Sequence, residues 1–261
     1  MKTGNHDMPC GNLKISYAGA SEIGILHEQN EDSWCVATPI DFCLVADGIG
    51  CLPDGAIASQ TIAEILPQLI GHDLEESGRN GNPKQLVRHV KAAIRKINRI
   101  VYDKSDAIIG YRGMGSTLVS CLITGSTAII AHLGDSRAYL IRKKEIRLLT
   151  LDHTVARDLI RQGEIQEKEA DEIVHGEALT RYVGMPQDID AEVSCLRLRP
   201  GDLLLLCSDG LTKGLSDREI RAIIGNHGNL DACCHELIDA AVDAGSLDDI
   251  TVILAKVDDP W

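Results

Sequence analysis

Aromatic residues are scarce: one Phe, two Trp and five Tyr make up 3% of 261 residues. The interior must therefore be filled by Leu, Ile, Val and Ala, and the chain lacks the stacking platforms that hold single-stranded nucleic acid. Basic charge is also in deficit. Lys and Arg number 26 against 39 Asp and Glu, a formal net charge of −13 at pH 7. Such a balance disfavours nucleic acid or an anionic membrane as partner, because each demands a basic face, and it suits a cation site. No run approaches the ~20 consecutive apolar residues that span a bilayer, and the first residues have no signal-peptide core, so a cytoplasmic protein without membrane insertion is expected. The nine cysteines, an odd number, contain no Cys-x-x-Cys pair. Cys43, Cys121 and Cys207 lie inside apolar runs, the pattern of a reduced compartment rather than a disulfide framework.

What is present is a set of aspartates at the ends of apolar runs. Phe42 to Ala46 leads into Asp47-Gly48, Ile129 to Gly134 into Asp135-Ser136, and Leu203 to Cys207 into Ser208-Asp209-Gly210. Asp248-Asp249 opens the run Ile250 to Ala255. A carboxylate at the rim of a buried strand must be paired, hydrogen-bonded or bound to a cation, since an uncompensated desolvated charge costs several kcal/mol or more. If the strand ending at Asp209 and the one beginning at Asp248 run antiparallel, both carboxylates fall at one sheet edge. Hard oxygen ligands gathered around divalent metal resolve the conflict most simply.

With 44% hydrophobic residues, the length and composition suit one large domain, read here as residues 13–257 after a polar lead of residues 1–12 and before a short tail, 258–261. Short strands are predicted at Ile15 to Ala20, Ser33 to Ala37 and Phe42 to Ala46, then a helix from Ala56 to Ile70 ending near Gly71. Pro83 opens a second helix whose apolar residues Leu86, Val90, Ala93, Ile94, Ile97 and Val101 recur at intervals of three and four. Thr117 to Ile123, Thr127 to Leu133, Arg137 to Ile141 and Arg147 to Leu149 predict an antiparallel meander, because their connections are too short for crossovers. Polar helices are predicted over Val155 to Gln162 and Gln166 to Val174, strands over Glu192 to Leu198 and Leu203 to Cys207, and helices over Asp217 to Ile224 and Leu230 to Ala244. Strand runs interleaved with helix pairs indicate an α+β fold in which antiparallel sheets are sandwiched by helices.

Six motifs then stand in order: Asn30-Glu31-Asp32, Ala46-Asp47-Gly48-Ile49-Gly50, Gly115-Ser116-Thr117, Gly134-Asp135-Ser136-Arg137, Ser208-Asp209-Gly210-Leu211 and Asp248-Asp249-Ile250-Thr251. Together they resemble the PPM family of metal-dependent serine/threonine protein phosphatases, protein phosphatase 2C, in its bacterial form, from about Gly19 to Val257. The resemblance implies a four-layer α-β-β-α sandwich, two antiparallel sheets flanked by helix pairs, with a binuclear Mn²⁺ or Mg²⁺ centre at one end. By that likeness Asp47 bridges two ions, the Gly48 carbonyl completes the first site, Asp209 and Asp248 hold the second, Glu31 and Asp32 support the first through water, and Asp135 serves a weaker third ion. The implied reaction is hydrolysis of phosphoserine and phosphothreonine by a metal-bridging hydroxide. Phosphorylated proteins and a cognate Ser/Thr kinase system are the implied partners, and the polar segment from Asp152 to Val174 stands where the family carries a variable flap.

Departures from the family pattern bear on activity. His27 stands where an arginine commonly grips the substrate phosphate, and is expected to serve as a weaker substrate-binding group in the catalytic set with Asp47 and Glu31. Ile49 leaves no general acid after the Asp-Gly motif. Cys51, Leu52 and Ala56 alter the loop that follows, where Cys51 is either an oxidisable thiol or an inert one. Lys213 places a positive charge four residues after Asp209, expected to weaken a third ion, and Asp249 adds a negative one beside the second site. Asp135 has a competing reading as the salt-bridge partner of Arg137, and His132 and His153 are expected to be structural. Through His27 and Lys213, a low-activity metal-binding regulator, a pseudophosphatase, is the alternative to an enzyme.

Overall fold

The computed structural model describes residues 13–49, 54–77, 82–107, 113–186 and 188–258. Two antiparallel sheets lie face to face. The first runs in the order β1 (Ile15–Glu22), β11 (Ile250–Val257), β10 (Leu203–Cys207), β7 (Arg137–Arg142), β8 (Glu145–Leu148). The second runs β2 (Asp32–Ala37), β3 (Phe42–Ile49), β5 (Leu118–Thr124), β6 (Thr127–Leu133), β9 (Glu192–Arg197), with the short β4 (Gly115–Ser116) paired to the end of β3. Helices α1 (Asp54–Ser77) and α2 (Pro83–Ala107) cover the second sheet, α3 (Val155–Gln162) follows β8, and α4 (Asp209–Gly214), α5 (Asp217–Asn226) and α6 (Leu230–Asp243) cover the first sheet. This is the expected α-β-β-α arrangement.

Apolar patterning explains the layers. Val45, Val119, Cys121 and Ile130 from the second sheet meet Leu140, Leu204, Leu206 and Ile253 from the first in a core between the sheets. The alternate residues Leu44, Leu118, Leu122 and Ile129 face outward to Ile62, Leu66, Leu86, Ile94 and Ile97 of α1 and α2. A strand buried on both faces reads as an unbroken apolar run, which is why Phe42 to Ala46 and Leu203 to Cys207 lack alternation. Among the described residues no helix is long and apolar enough to cross a membrane.

Four expectations need correction. Helix α1 continues past Gly71 to Ser77, because Leu74, 3% exposed, extends the buried stripe and outweighs the ~1 kcal/mol intrinsic penalty of a helical glycine. The strands after Ser116 do not form one meander. β5 and β6 pair in the second sheet, whereas β7 and β8 belong to the first, so the chain changes sheets at Gly134-Asp135-Ser136. Gly134 makes that corner with φ +99°, and a Cβ there would lie 2.7 Å from the Thr117 side chain, so any other residue would be strained. The segment read as a second polar helix forms only a 3₁₀ helix, Glu167–Glu172. Finally, α4 follows β10 directly where no helix was expected.

Candidate metal centre

All the motif aspartates collect at one end of the sandwich, brought there by strand register. β10 and β11 are antiparallel neighbours with Cys207 opposite Val252, so Asp209, just after one strand, and Asp248, just before the other, share an edge. In the second sheet Asp32 and Asp47 are direct cross-strand partners, a like-charge placement that is ordinarily destabilising. The sheet-switching corner delivers Asp135 to the same end.

The scaffold around these carboxylates is tightly hydrogen-bonded. Thr117 Oγ1 accepts from the Asp47 amide at 3.0 Å and shares a 2.6 Å hydrogen bond with Ser136 Oγ, while the Thr117 amide donates to the Asp47 carbonyl at 2.8 Å. The Gly48 amide donates to the Glu31 carbonyl at 3.1 Å. A Cβ on Gly48 would lie 2.3 Å from the Gly55 backbone, so only glycine admits the start of α1 so close to the metal motif. Ser208, fully buried, donates from Oγ to Asp32 Oδ2 at 2.7 Å and accepts from the Thr251 amide at 2.9 Å.

Charge crowding follows from this geometry. Burial, joined by the charges of Asp32, Asp209, Asp135 and Asp248, pushes the Asp47 carboxyl well above its ordinary value. Asp32 and Asp135 are each pushed up to about 7, chiefly by burial. Asp209 is raised by burial despite the opposing Lys213 ammonium. Asp32 Oδ1 and Asp209 Oδ1 are buried with no hydrogen-bond partner. Buried carboxylate oxygens left open within a crowd of like charges fit a hard divalent cation, and the candidate donors Asp47, Gly48, Asp209, Asp248, Glu31 and Asp135 all offer oxygen.

Two basic side chains reach into this end. His27 Nδ1 lies 3.0 Å from Asp249 Oδ1, and its Nε2 lies 3.8 Å from Asp248 Oδ1. Burial alone would lower its pKa, but the Asp249 hydrogen bond and the charges of Asp249, Asp248 and Glu31 outweigh this and raise it. Lys213 Nζ sits 2.6 Å from Asp209 Oδ2 and 2.7 Å from Asp248 Oδ2.

Sequence reasoning underrated Asp249. It is 3% exposed, and its carboxylate accepts from the Gly24 amide at 2.8 Å and the Glu31 amide at 2.7 Å. It therefore ties the loop carrying His27 and Glu31 to β11, and the Asp-Asp doublet was its only signal. The competing pairing of Asp135 with Arg137 is not formed, because Arg137 forks onto Asp152 at 2.6 and 3.0 Å. His132 and His153 stack at 4.6 Å; His132 Nε2 meets the Leu151 carbonyl and His153 Nδ1 accepts from the Gly134 amide. With Glu192 they form a second cluster of metal-ligand type, but these backbone hydrogen bonds brace the corner that carries Asp135. Cys51 and Leu52 lie outside the described residues; Ala56 is buried in the first turns of α1. A cavity of about 890 Å³ adjoins the acidic end, lined by Asp135, Asp209 and Lys213 on one side and by Arg157 of the polar segment and His175 just after it on the other.

In sequence and fold the chain is similar to known phosphatases. A family model described as protein phosphatase 2C matches residues 26–227. A protein phosphatase 2C-type protein of Streptococcus pyogenes is 33% identical over 246 residues, covering 93% of this chain and 96% of its own. The solved serine/threonine phosphatase of S. agalactiae superposes with a TM-score of 0.83 at 29% identity over 94% of this chain and 100% of that one. The catalytic domain of the serine/threonine protein phosphatase PstP, solved in complex with two manganese ions, superposes with a TM-score of 0.76 at 29% identity over 95% of this chain and 100% of that one.

Proposed function

The chain belongs to the protein phosphatase 2C family, and on that footing we propose that it hydrolyses phosphoserine and phosphothreonine in proteins with the help of bound Mn²⁺ or Mg²⁺. The observation that carries this reading is the convergence of Asp47, Asp135, Asp209 and Asp248 from distant stretches at one rim, with the open buried oxygens of Asp209 and the adjacent Asp32 among them. In this reading Asp47 and the Gly48 carbonyl would hold one ion, Asp47 with Asp209 and Asp248 would hold a second, and Asp135 would serve a weaker third. When bound, paired divalent cations supply Lewis acidity towards the phosphoryl oxygens and acidify a water nucleophile.

The chain's own residues orient and protect. Glu31 and Asp32 would support the first ion through water, and Asp32 is itself held by Ser208. His27 binds the substrate: with Nδ1 held by Asp249, Nε2 is the ring atom left to donate to a non-bridging phosphate oxygen. Ile49 places no acid near the leaving group, so the serine or threonine alkoxide takes its proton from solvent. Water adds to phosphorus as the ester P–O bond breaks, giving inorganic phosphate and the free hydroxyl with no covalent enzyme intermediate. Ile25 and Leu26, 70% and 71% exposed, stand beside His27 and would meet apolar side chains flanking the phosphorylated residue. Phosphorylated proteins are the substrates in this reading, and a Ser/Thr kinase system is their source. A low-activity regulator is not favoured, since the relatives are named as phosphatases.

The test is turnover of p-nitrophenyl phosphate and of a phosphothreonine peptide. With Mn²⁺ both are expected to be hydrolysed, and EDTA or Asp209→Asn should reduce the rate by about 10³-fold, beyond the 10–100-fold typical of losing a residue that only supports a ligand. Folded, manganese-loaded protein inert towards both esters would overturn the assignment.

A further inference from the structure

Resting on the phosphatase reading, one contact in the metal centre suggests how its cation affinity is set. Lys213 lies on the short helix α4, one turn after Asp209, and its ammonium bridges Asp209 Oδ2 at 2.6 Å and Asp248 Oδ2 at 2.7 Å. These are the two carboxylates assigned to the second ion. They come from neighbouring strands at one end of the β10–β11 pair, and the lysine side chain is free to turn away from them: it is 43% exposed and borders the open cavity. The ammonium therefore sits there because the carboxylates attract it, as a mobile cation would be attracted.

We propose that Lys213 is a tethered counter-cation which occupies the second metal position in the metal-free protein and must be displaced before Mn²⁺ or Mg²⁺ can bind there. The tether makes the competition intramolecular. A residue four positions along the same helix is presented to Asp209 at an effective concentration no soluble monovalent ion reaches, so divalent cation must outcompete a partner that never diffuses away. Asp209 keeps a second oxygen, Oδ1, without a partner, so a doubly charged ion has more to gain at this position than the ammonium has. Displacement is therefore favourable but concentration-dependent. The consequence is a threshold: the first site, built on Asp47 and the Gly48 carbonyl, is not obstructed in this way, and the second fills only at higher metal concentration. Once expelled, the ammonium can turn into the open cavity it already borders.

Isothermal calorimetry of MnCl₂ into metal-stripped protein tests this without reference to activity. Lys213→Met removes the charge while keeping the aliphatic stem, and Lys213→Arg keeps the charge; Lys213→Gln serves the same comparison as Met should that variant fold poorly. The weaker Mn²⁺ site should tighten roughly tenfold in the Met or Gln variant, the scale of two partly exposed ion pairs, and should not tighten in the Arg variant. Thermal unfolding gives a second readout. The uncharged variants should melt lower than wild type in EDTA, where Asp209 and Asp248 repel each other unscreened, and gain more from added Mn²⁺. An unchanged or weaker Kd in the uncharged variants would overturn the role of Lys213 alone. No Mn²⁺ uptake by any of these proteins would overturn both this role and the phosphatase reading beneath it.

Discussion

Asp47→Asn is expected to abolish turnover while making the metal-free protein more stable. Asp47 faces Asp32 across β2 and β3 and feels the charges of Asp209, Asp135 and Asp248 as well. A neutral amide of the same shape relieves that repulsion but is a poor ligand for a bridging position. Loss of roughly 10³-fold or more in kcat/KM is expected with Mn²⁺, together with a rise on the order of 5 °C in the melting temperature in EDTA at pH 8. The gain should depend on pH in a definite direction. A carboxyl whose pKa is raised by folding binds its proton more tightly in the native than in the unfolded state, so native stability falls as pH rises from the unfolded value through the folded one. With Asp32 and Asp135 raised from 3.8 to about 7, metal-free wild type should melt at progressively lower temperature between about pH 4 and 7. Asp47 is raised as well, so the decline should be shallower in Asp47→Asn and the two proteins should converge towards pH 4. Scanning calorimetry across this range checks the claim; a variant less stable than wild type at pH 8 in EDTA would refute the crowding argument.

Asp249→Ala is expected to be the most damaging single change to the fold around the site. The carboxylate is buried and accepts two backbone N–H donors, from Gly24 and Glu31, besides pairing with His27. Truncation leaves both amides without their acceptor, for which about 3–5 kcal/mol is the expected loss, or roughly 10 °C in a domain of this size. Asp249→Asn retains one acceptor oxygen but turns an NH₂ towards a backbone N–H, so it should fall between the two. Urea unfolding of the three proteins in Mn²⁺ gives the comparison. Because the loop anchored by Asp249 carries Glu31 and His27, KM for the phosphopeptide should rise in parallel with the loss of stability. A melting temperature within about 2 °C of wild type for the Ala variant would show that the loop is held by other contacts.

The contrast between Asp47 and Asp249 explains what could be read from the residues and what could not. Asp47, Asp209 and Asp248 announce themselves because each interrupts an apolar run, and a charge at a buried strand end has few ways to be tolerated. Antiparallel pairing of the strands bearing Asp209 and Asp248 stands in the sequence only as a condition, which the β10–β11 register meets. Helices packed on antiparallel strands followed from spacing, since α2 repeats its apolar residues with helical period while the strands run apolar without a break; the four-layer arrangement of two sheets followed from the family resemblance. The anchoring role of Asp249 was hidden because it depends on backbone amides at Gly24 and Glu31, more than two hundred positions away, and no side-chain pattern encodes such a partner. The sheet change at Gly134 was missed since a connection of three residues looks the same whether it closes a hairpin or turns a corner between sheets. Helix α1 was cut short at Gly71 because local propensity was weighed without the buried contact of Leu74, which only the packed structure supplies. Lys213 was recognised as a charge in the wrong place, but its bridge between two carboxylates required α4, a helix of one and a half turns too short to show a period.

Anomalous scattering from manganese-soaked crystals tests the central claim most directly. Two peaks are expected at the rim where β3 meets the β10–β11 edge, one against Asp47 and the Gly48 carbonyl and one between Asp47, Asp209 and Asp248, with Lys213 turned out of the second position. An ordered, undistorted carboxylate cluster without a manganese peak at millimolar Mn²⁺ would contradict it.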